Sequence, residues 1–217
     1  CMEELQSIYE KIMQMRADRE ALQKYLKENL IARQGIFKAS QTGTLYDYGN
    51  EWFDPTGIMS ALIMDFDRDD RAELLVCHTE KKISNLYGRT YTTYPILMDM
   101  YEVTEKGVTL CSSFPSQGRA TDWLLYMELN KSLALELFFS LNVLETPERC
   151  YLLCENYENG IISDGTNENY WAVVYNGEKF EYALAFGVMG GGSSDFHYVG
   201  NEYEDGELVR SDLYYET

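Results

Sequence analysis

Asp65, Asp67 and Asp69 occupy alternate positions of the segment Asp65-Phe66-Asp67-Arg68-Asp69-Asp70-Arg71-Ala72-Glu73, and Glu73 closes it at the ninth position. Acidic side chains at every second residue of a short loop can converge on one hard cation. Oxygen donors at loop positions one, three, five and nine, with a backbone carbonyl at seven, suit Ca²⁺, which accepts irregular oxygen shells. The loop is not an EF-hand, since its twelfth position is Val76 and not a bidentate Glu. Arg68 and Arg71 stand among the carboxylates and allow a second reading, a turn held by Arg–Asp pairs and turn hydrogen bonds with no ion. The residues leave both readings open.

Other segments offer weaker chemistry. Gly190-Gly191-Gly192-Ser193-Ser194-Asp195-Phe196-His197 places Ser, Asp and His close together, but no Gly-Lys-Ser/Thr follows, so it is not a phosphate loop. Alternate strand residues point the same way without reaching nucleophile-to-base geometry, so no triad is expected there. The polar stretch 156–169 carries Asn and Glu side chains at irregular spacing and reads as a solvated connection. Cys77, Cys111, Cys150 and Cys154 lie in apolar runs and read as buried free thiols. Trp52, Trp123 and Trp171 suit core packing, with 86–91 the best exposed aromatic stretch for a ligand. No catalytic residue or organic cofactor site is expected, and the chain reads as non-enzymatic.

The acidic loop must be held between two strands, Ser60–Met64 before it and Glu73–His78 after it. Further strands are expected at 96–103 and 108–112, at 123–129, at 151–156, at 170–175 and 179–186 across Asn176-Gly177, and at 196–203 and 207–214 across Asp205-Gly206. Asn-Gly and Asp-Gly between apolar runs are strong hairpin signals. Residues 131–142 fit either a strand or a short helix. Ahead of all this, Glu4 to Gln34 predicts a long helix, because Leu5, Ile8, Ile12, Met15, Leu22 and Leu26 recur at three- and four-residue spacing. The polar run Arg16–Glu20 predicts a kink or boundary, and Gly35 a stop. The expected fold class is α+β: an N-terminal helix packed on an antiparallel, hairpin-rich β-meander, with a partial propeller-like sheet as one form of it. A single domain is expected over 1–217, with 1–34 helical and 41–217 β-rich.

The chain has 217 residues, 36 acidic against 18 basic, for a net charge of −18. That charge repels phosphate backbones and anionic lipid and excludes nucleic acid as a partner. No apolar run is long enough for a membrane-spanning helix.

The loop and its flanks, Met64-Asp65-Phe66-Asp67-Arg68-Asp69-Asp70-Arg71-Ala72-Glu73-Leu74-Leu75-Val76, resemble the aspartate loops of FG-GAP/VCBS-type β-repeats and of bacterial envelope lipoproteins. The resemblance implies Asp65, Asp67 and Asp69 as side-chain ligands of calcium, Arg71 as a carbonyl ligand and Glu73 as the ninth-position carboxylate. Asp70 departs from it, standing where the pattern has Gly at a turn that wants positive φ. It also implies a cell-envelope or secreted binding protein with a protein or glycan ligand, and makes Cys1 a candidate lipid-anchor site. The alternative is an intracellular acidic inhibitor or immunity-type protein that uses its charge to occlude a basic partner.

Overall fold

A computed structural model of the chain describes residues 2–37, 56–86, 89–114, 128–130, 134–160, 166–190, 196–204 and 207–216. Helix α1 (Met2–Tyr25) continues through a π-helical turn (Leu26–Ile31) into a last turn, α2 (Ala32–Gln34). No Gly or Pro occurs between Met2 and Gln34, and Glu, Lys, Leu, Met and Gln dominate, so local propensity favours one uninterrupted helix. The helix boundary expected at Arg16–Glu20 is absent, since α1 runs through that segment. The irregularity falls later, where the extra residue of the π turn re-aims Leu30 into the core. Gly35, at φ 74°, ends the helix in a conformation that costs a side-chain-bearing residue more.

Among the described residues twelve strands follow: β1 (Gly57–Met64), β2 (Glu73–Thr79), β3 (Lys82–Leu86), β4 (Arg89–Thr104), β5 (Gly107–Phe114), β6 (Glu128–Asn130), β7 (Ala134–Glu145), β8 (Cys150–Gly160), β9 (Thr166–Tyr175), β10 (Phe180–Gly190), β11 (Phe196–Glu204) and β12 (Glu207–Glu216). They form two open six-stranded antiparallel sheets. In the first, β2 pairs with β1 and β4, while the long β4 takes β5 along its C-terminal half and β3 and β6 along its N-terminal half. The second is a meander from β7 to β12 in which each strand pairs with the next. The fold is therefore α+β, a helix on a hairpin-rich antiparallel framework, as the sequence led one to expect. Residues 134–142 belong to a strand, which resolves the helix-or-strand ambiguity there. β3 has no counterpart among the expected strands. Residues 123–127 and the turn 205–206 lie outside the described residues.

The layers are explained by alternation along β2 and β4. Leu75, Cys77, Met98 and Met100 point toward the second sheet and meet Cys150, Leu152, Cys154, Trp171, Val173 and Tyr175 in one core. Leu74, Val76 and Tyr101 point the other way and meet Leu22 and Leu30 of the helical segment, with Met15, Tyr25 and Leu26 packed around them. Every residue of β2 is buried, as befits a strand covered on both faces. Each large side chain sealed in this way contributes roughly 1.5–3 kcal/mol of transfer free energy.

The helix stripe divides in the process. Leu22 is fully buried and Met15 and Leu26 pack on the core, but Leu5, Ile8 and Ile12 are exposed. Burial of the whole stripe, the simplest use of that periodicity, does not occur.

Candidate metal centre

β1 delivers the chain into the acidic loop and β2 takes it away, in a register that pairs Met64 with Glu73. The intervening residues must reverse direction in a small space, and two of them do so at positive φ: Arg68 at 68° and Asp70 at 69°. Asp70 thus adopts the backbone that its place in the aspartate-loop pattern demands. Arg68 does the same with a bulky side chain, at a cost of order 1 kcal/mol that its neighbours must offset.

Asp65, Asp67 and Glu73 bring carboxylate oxygens within 4.8 Å of one another. Oxygens bound to one calcium ion at 2.3–2.6 Å can stand no more than about 5 Å apart, so the donor set fits that ion in span and in hardness. Asp69 stands outside the group. Its Oδ1 instead accepts the Arg71 N–H at 2.8 Å, while its own N–H donates to Asp65 Oδ1 at 3.1 Å and Asp67 Oδ1 at 3.2 Å. The Asp70 N–H donates to Asp65 Oδ2 at 3.2 Å. Loop amides therefore orient the Asp65 and Asp67 carboxylates.

Glu73 is the buried member, 2% exposed, and accepts the Phe66 N–H on Oε2 at 2.7 Å. Burial pushes its carboxyl up to about 9, reinforced by Asp67, Asp69 and Asp65 and opposed by the Phe66 bond. Burial likewise raises Asp67 to about 6, with Asp69, Asp65 and Glu102 adding to the rise. Carboxyls held this high at neutral pH want a proton or a cation.

Neither arginine supplies that cation. The Arg68 guanidinium bridges the loop and the β7–β8 turn: Nη2 donates to the Thr146 carbonyl at 3.0 Å and Glu145 Oε2 at 3.3 Å, and Nη1 to the Asp65 carbonyl at 3.5 Å. Arg71 turns toward the helix, donating from Nε to Asp18 Oδ2 at 2.5 Å, and from Nη2 to Asp18 Oδ1 at 3.0 Å and the Val103 carbonyl at 3.3 Å. Lys11 pairs with Asp70 beside it. Of the second reading the sequence left open, the turn hydrogen bonds are present, from loop amides to Asp65, Asp67 and Asp69, while Arg71 pairs with an aspartate of the helix and not of the loop. Of the four expected carboxylate ligands, Asp65, Asp67 and Glu73 converge and Asp69 does not.

Residues far away in sequence complete the site. The β9–β10 turn sits over it: Asn176 Oδ1 accepts the N–H groups of Glu178 and Lys179 at 3.0 Å, and Gly177 takes φ 89°. A Cβ on Gly177 would lie 2.7 Å from Asp67 Oδ2. Tyr175, at the end of β9, donates its hydroxyl to Glu102. Asn176-Gly177 announces a hairpin in the sequence, but nothing local announces what that hairpin touches.

The other chemistry-bearing groups have structural surroundings. Asp99 accepts hydrogen bonds from Ser113 Oγ at 2.6 Å and Tyr101 OH at 3.3 Å and meets His78 Nε2 at 2.9 Å. Burial alone would raise Asp99, yet the bonds to His78 and Ser113 hold it below the ordinary range. The Ser113 hydroxyl thus faces the carboxylate, and His78 is not placed to take its proton. Cys77, Cys150 and Cys154 are buried, Cys111 is half-buried, and all four are free thiols. Trp171 is a core residue. Residues 191–195 and 161–165, together with Cys1, Trp52 and Trp123, lie outside the described residues, as do 87 and 88 of the aromatic stretch.

No protein-family model matches the chain, and comparison with curated proteins and with solved structures gives no match. The likeness to FG-GAP/VCBS-type loops rests on the loop residues alone.

Proposed function

We propose that this chain is a non-enzymatic binding protein of the cell envelope or extracellular space, whose acidic loop takes up calcium and stiffens the joint between its layers. The observation that carries the reading is the convergence of Asp65, Asp67 and Glu73 while the neighbouring arginines pair with other carboxylates, Arg68 with Glu145 and Arg71 with Asp18. Calcium would supply the positive charge that this buried group lacks, and Asp65, Asp67 and Glu73 would hold it. An extracellular setting suits a loop of this kind, because modules with affinities of about 10⁻⁴ to 10⁻³ M fill only where calcium is abundant. The ligand would be a protein or glycan met by the β-rich body.

The role of the ion is mechanical in this reading. The loop touches the helix through Arg71 and Lys11, the β7–β8 turn through Arg68 and the β9–β10 turn through Asp67. Fixing its carboxylates fixes three separate elements at once.

Thermal unfolding with added calcium tests the proposal. At a tenfold excess over the dissociation constant, binding adds about 1.4 kcal/mol. For a chain of this size that raises the melting temperature by about 3–6 °C. Magnesium should not reproduce the rise, since it demands stricter octahedral geometry. Asp67→Asn should abolish it. An equal shift with magnesium, or none with calcium at about ten times the weakest affinity quoted, overturns the reading.

A further inference from the structure

At the β9–β10 turn we infer a site of self-modification: Asn176 deamidates through a cyclic imide formed with the Gly177 nitrogen, and the fold speeds the reaction. The chain has two Asn-Gly pairs, Asn159-Gly160 and Asn176-Gly177. In such a pair the second residue carries no side chain to bar its nitrogen from the asparagine side-chain carbonyl. The two pairs are held differently. Asn159 lies within β8, set between Glu136 of β7 and Thr166 of β9. Asn176 is exposed at the head of the turn, just past the Tyr175–Phe180 pair that closes the two strands.

The turn presents the Asn176 side chain as an electrophile. Its Oδ1 accepts the N–H groups of Glu178 and Lys179, both at 3.0 Å. When a nucleophile adds to Cγ, negative charge develops on that oxygen, and two amides already aimed at it stabilise the charge as the donors of an oxyanion hole do. The nucleophile is the nitrogen next in the chain. Among the described residues the bonds of the turn are donated by the N–H groups of Asn176, Glu178 and Lys179, so that of Gly177 is left out of them. A carbonyl held in one orientation also spares the rotamer search that an unfolded chain must make.

The Gly177 nitrogen gives its proton to water and bonds to Asn176 Cγ; the Cγ–Nδ2 bond breaks, and Nδ2 takes up a proton and leaves as ammonia. Water then opens the ring at either carbonyl carbon. Opening at Cγ gives aspartate, and opening at the main-chain carbonyl gives isoaspartate, whose main chain is longer by a methylene. Water enters, ammonia leaves, and nothing is oxidised or reduced. Both products add a negative charge to a turn whose Gly177 stands so close to the acidic loop that a Cβ on it would lie 2.7 Å from Asp67 Oδ2. Aspartate keeps an acceptor for the same two amides, whereas isoaspartate moves Gly177 against Asp67. The chain thereby loses calcium response as it ages, a consequence that rests on the calcium reading above, as the modification itself does not.

Peptide mapping by mass spectrometry tests the modification on the full chain, incubated at pH 8 either folded or in guanidinium chloride. Unfolded, the two Asn-Gly pairs should convert at similar rates. Folded, Asn159 should slow and Asn176 should convert about tenfold faster than it does unfolded, a small part of the roughly 10²–10³ that one such donor is worth in a water-excluded site, because water competes in an exposed turn. An Asn176 that converts no faster folded than unfolded overturns the inference. The calcium-induced rise in melting temperature is then compared in the chain and in Asn176→Ser, each aged against its own fresh sample. The rise should shrink in the aged chain and persist in the aged variant, and a converted chain that keeps the full rise severs the turn from the loop. If the fresh chain shows no rise, the calcium reading fails, and the two rates alone decide the modification.

Discussion

Arg71 leaves the acidic loop to grip Asp18 with two nitrogens, at 2.5 and 3.0 Å, although 53 residues separate them. Asp18 is 1% exposed and lies in the middle of helix α1, where an unpaired carboxylate would be strongly unfavourable. Gln14 Nε2 donates to the same carboxylate at 3.0 Å. This pair fixes the rotation of the helix on the first sheet, and so decides which of its faces is left outside.

Arg71→Ala should cost about 3 kcal/mol, the low end of the range for breaking a buried pair, because Arg71 itself is partly exposed. Asp18→Ala in the same background should then cost little more. A double-mutant cycle in urea gives the coupling, and additive losses would show that the two residues act separately.

Without calcium, stability should fall as pH rises across the neutral range. Asp67 and Glu73 have folded values near 6 and 9, above their ordinary 3.8 and 4.5. The folded state then holds protons that the unfolded chain has released, so the native state loses ground from about pH 4 up to about pH 9. Calcium takes the place of those protons, so its stabilising effect should grow over the same window. Urea midpoints at pH 6 and pH 8.5, with calcium and with a chelator, measure both slopes, and Glu73→Gln should flatten most of the calcium-free one.

Gly177→Ala should destabilise the chain by about 1 kcal/mol or more through its positive φ. The new methyl would also displace Asp67 Oδ2, so the calcium response should weaken with it. Calcium titration followed by melting temperature separates the two effects. An alanine variant that loses stability but keeps the full calcium shift would show that the turn does not shape the site.

Leu22→Ala should cost about 2–5 kcal/mol, since the side chain is fully buried between helix and sheet. Leu5→Ala should stay within about 0.5 kcal/mol in dilute solution. Chemical denaturation of the two variants checks that the same apolar spacing is docked at one end of the helix and exposed at the other.

Much of the architecture was legible because its signals are local. Asn176-Gly177 announced a hairpin and the run Glu73–His78 a strand, and the alternating aspartates marked a loop that does draw carboxylates together. What the sequence concealed depends on contacts between distant residues. The polar run around Asp18 looked like an interruption of the helix because the charge that satisfies it lies 53 residues onward. Asp69 looked like a ligand by position, but a nearby amide claims its carboxylate. Leu5 and Leu22 share a periodicity, and only the arrangement of β2 and β4 beneath the helix separates their fates. The turn over Asp67 could not be found from either segment alone.

The way the layers meet at one loop also sets the order of assembly. Each hairpin of the second sheet closes between neighbours in sequence, but the bonds from Arg68 to Glu145 and Thr146 and from Arg71 to Asp18 join segments 77, 78 and 53 residues apart. Contacts of that separation form late, after chain closure has been met by other interactions. The carboxylate cluster would therefore exist only once helix and both sheets have docked, behind the rate-limiting barrier. An ion bound there should slow the escape from the native state and leave the rate of reaching it unchanged.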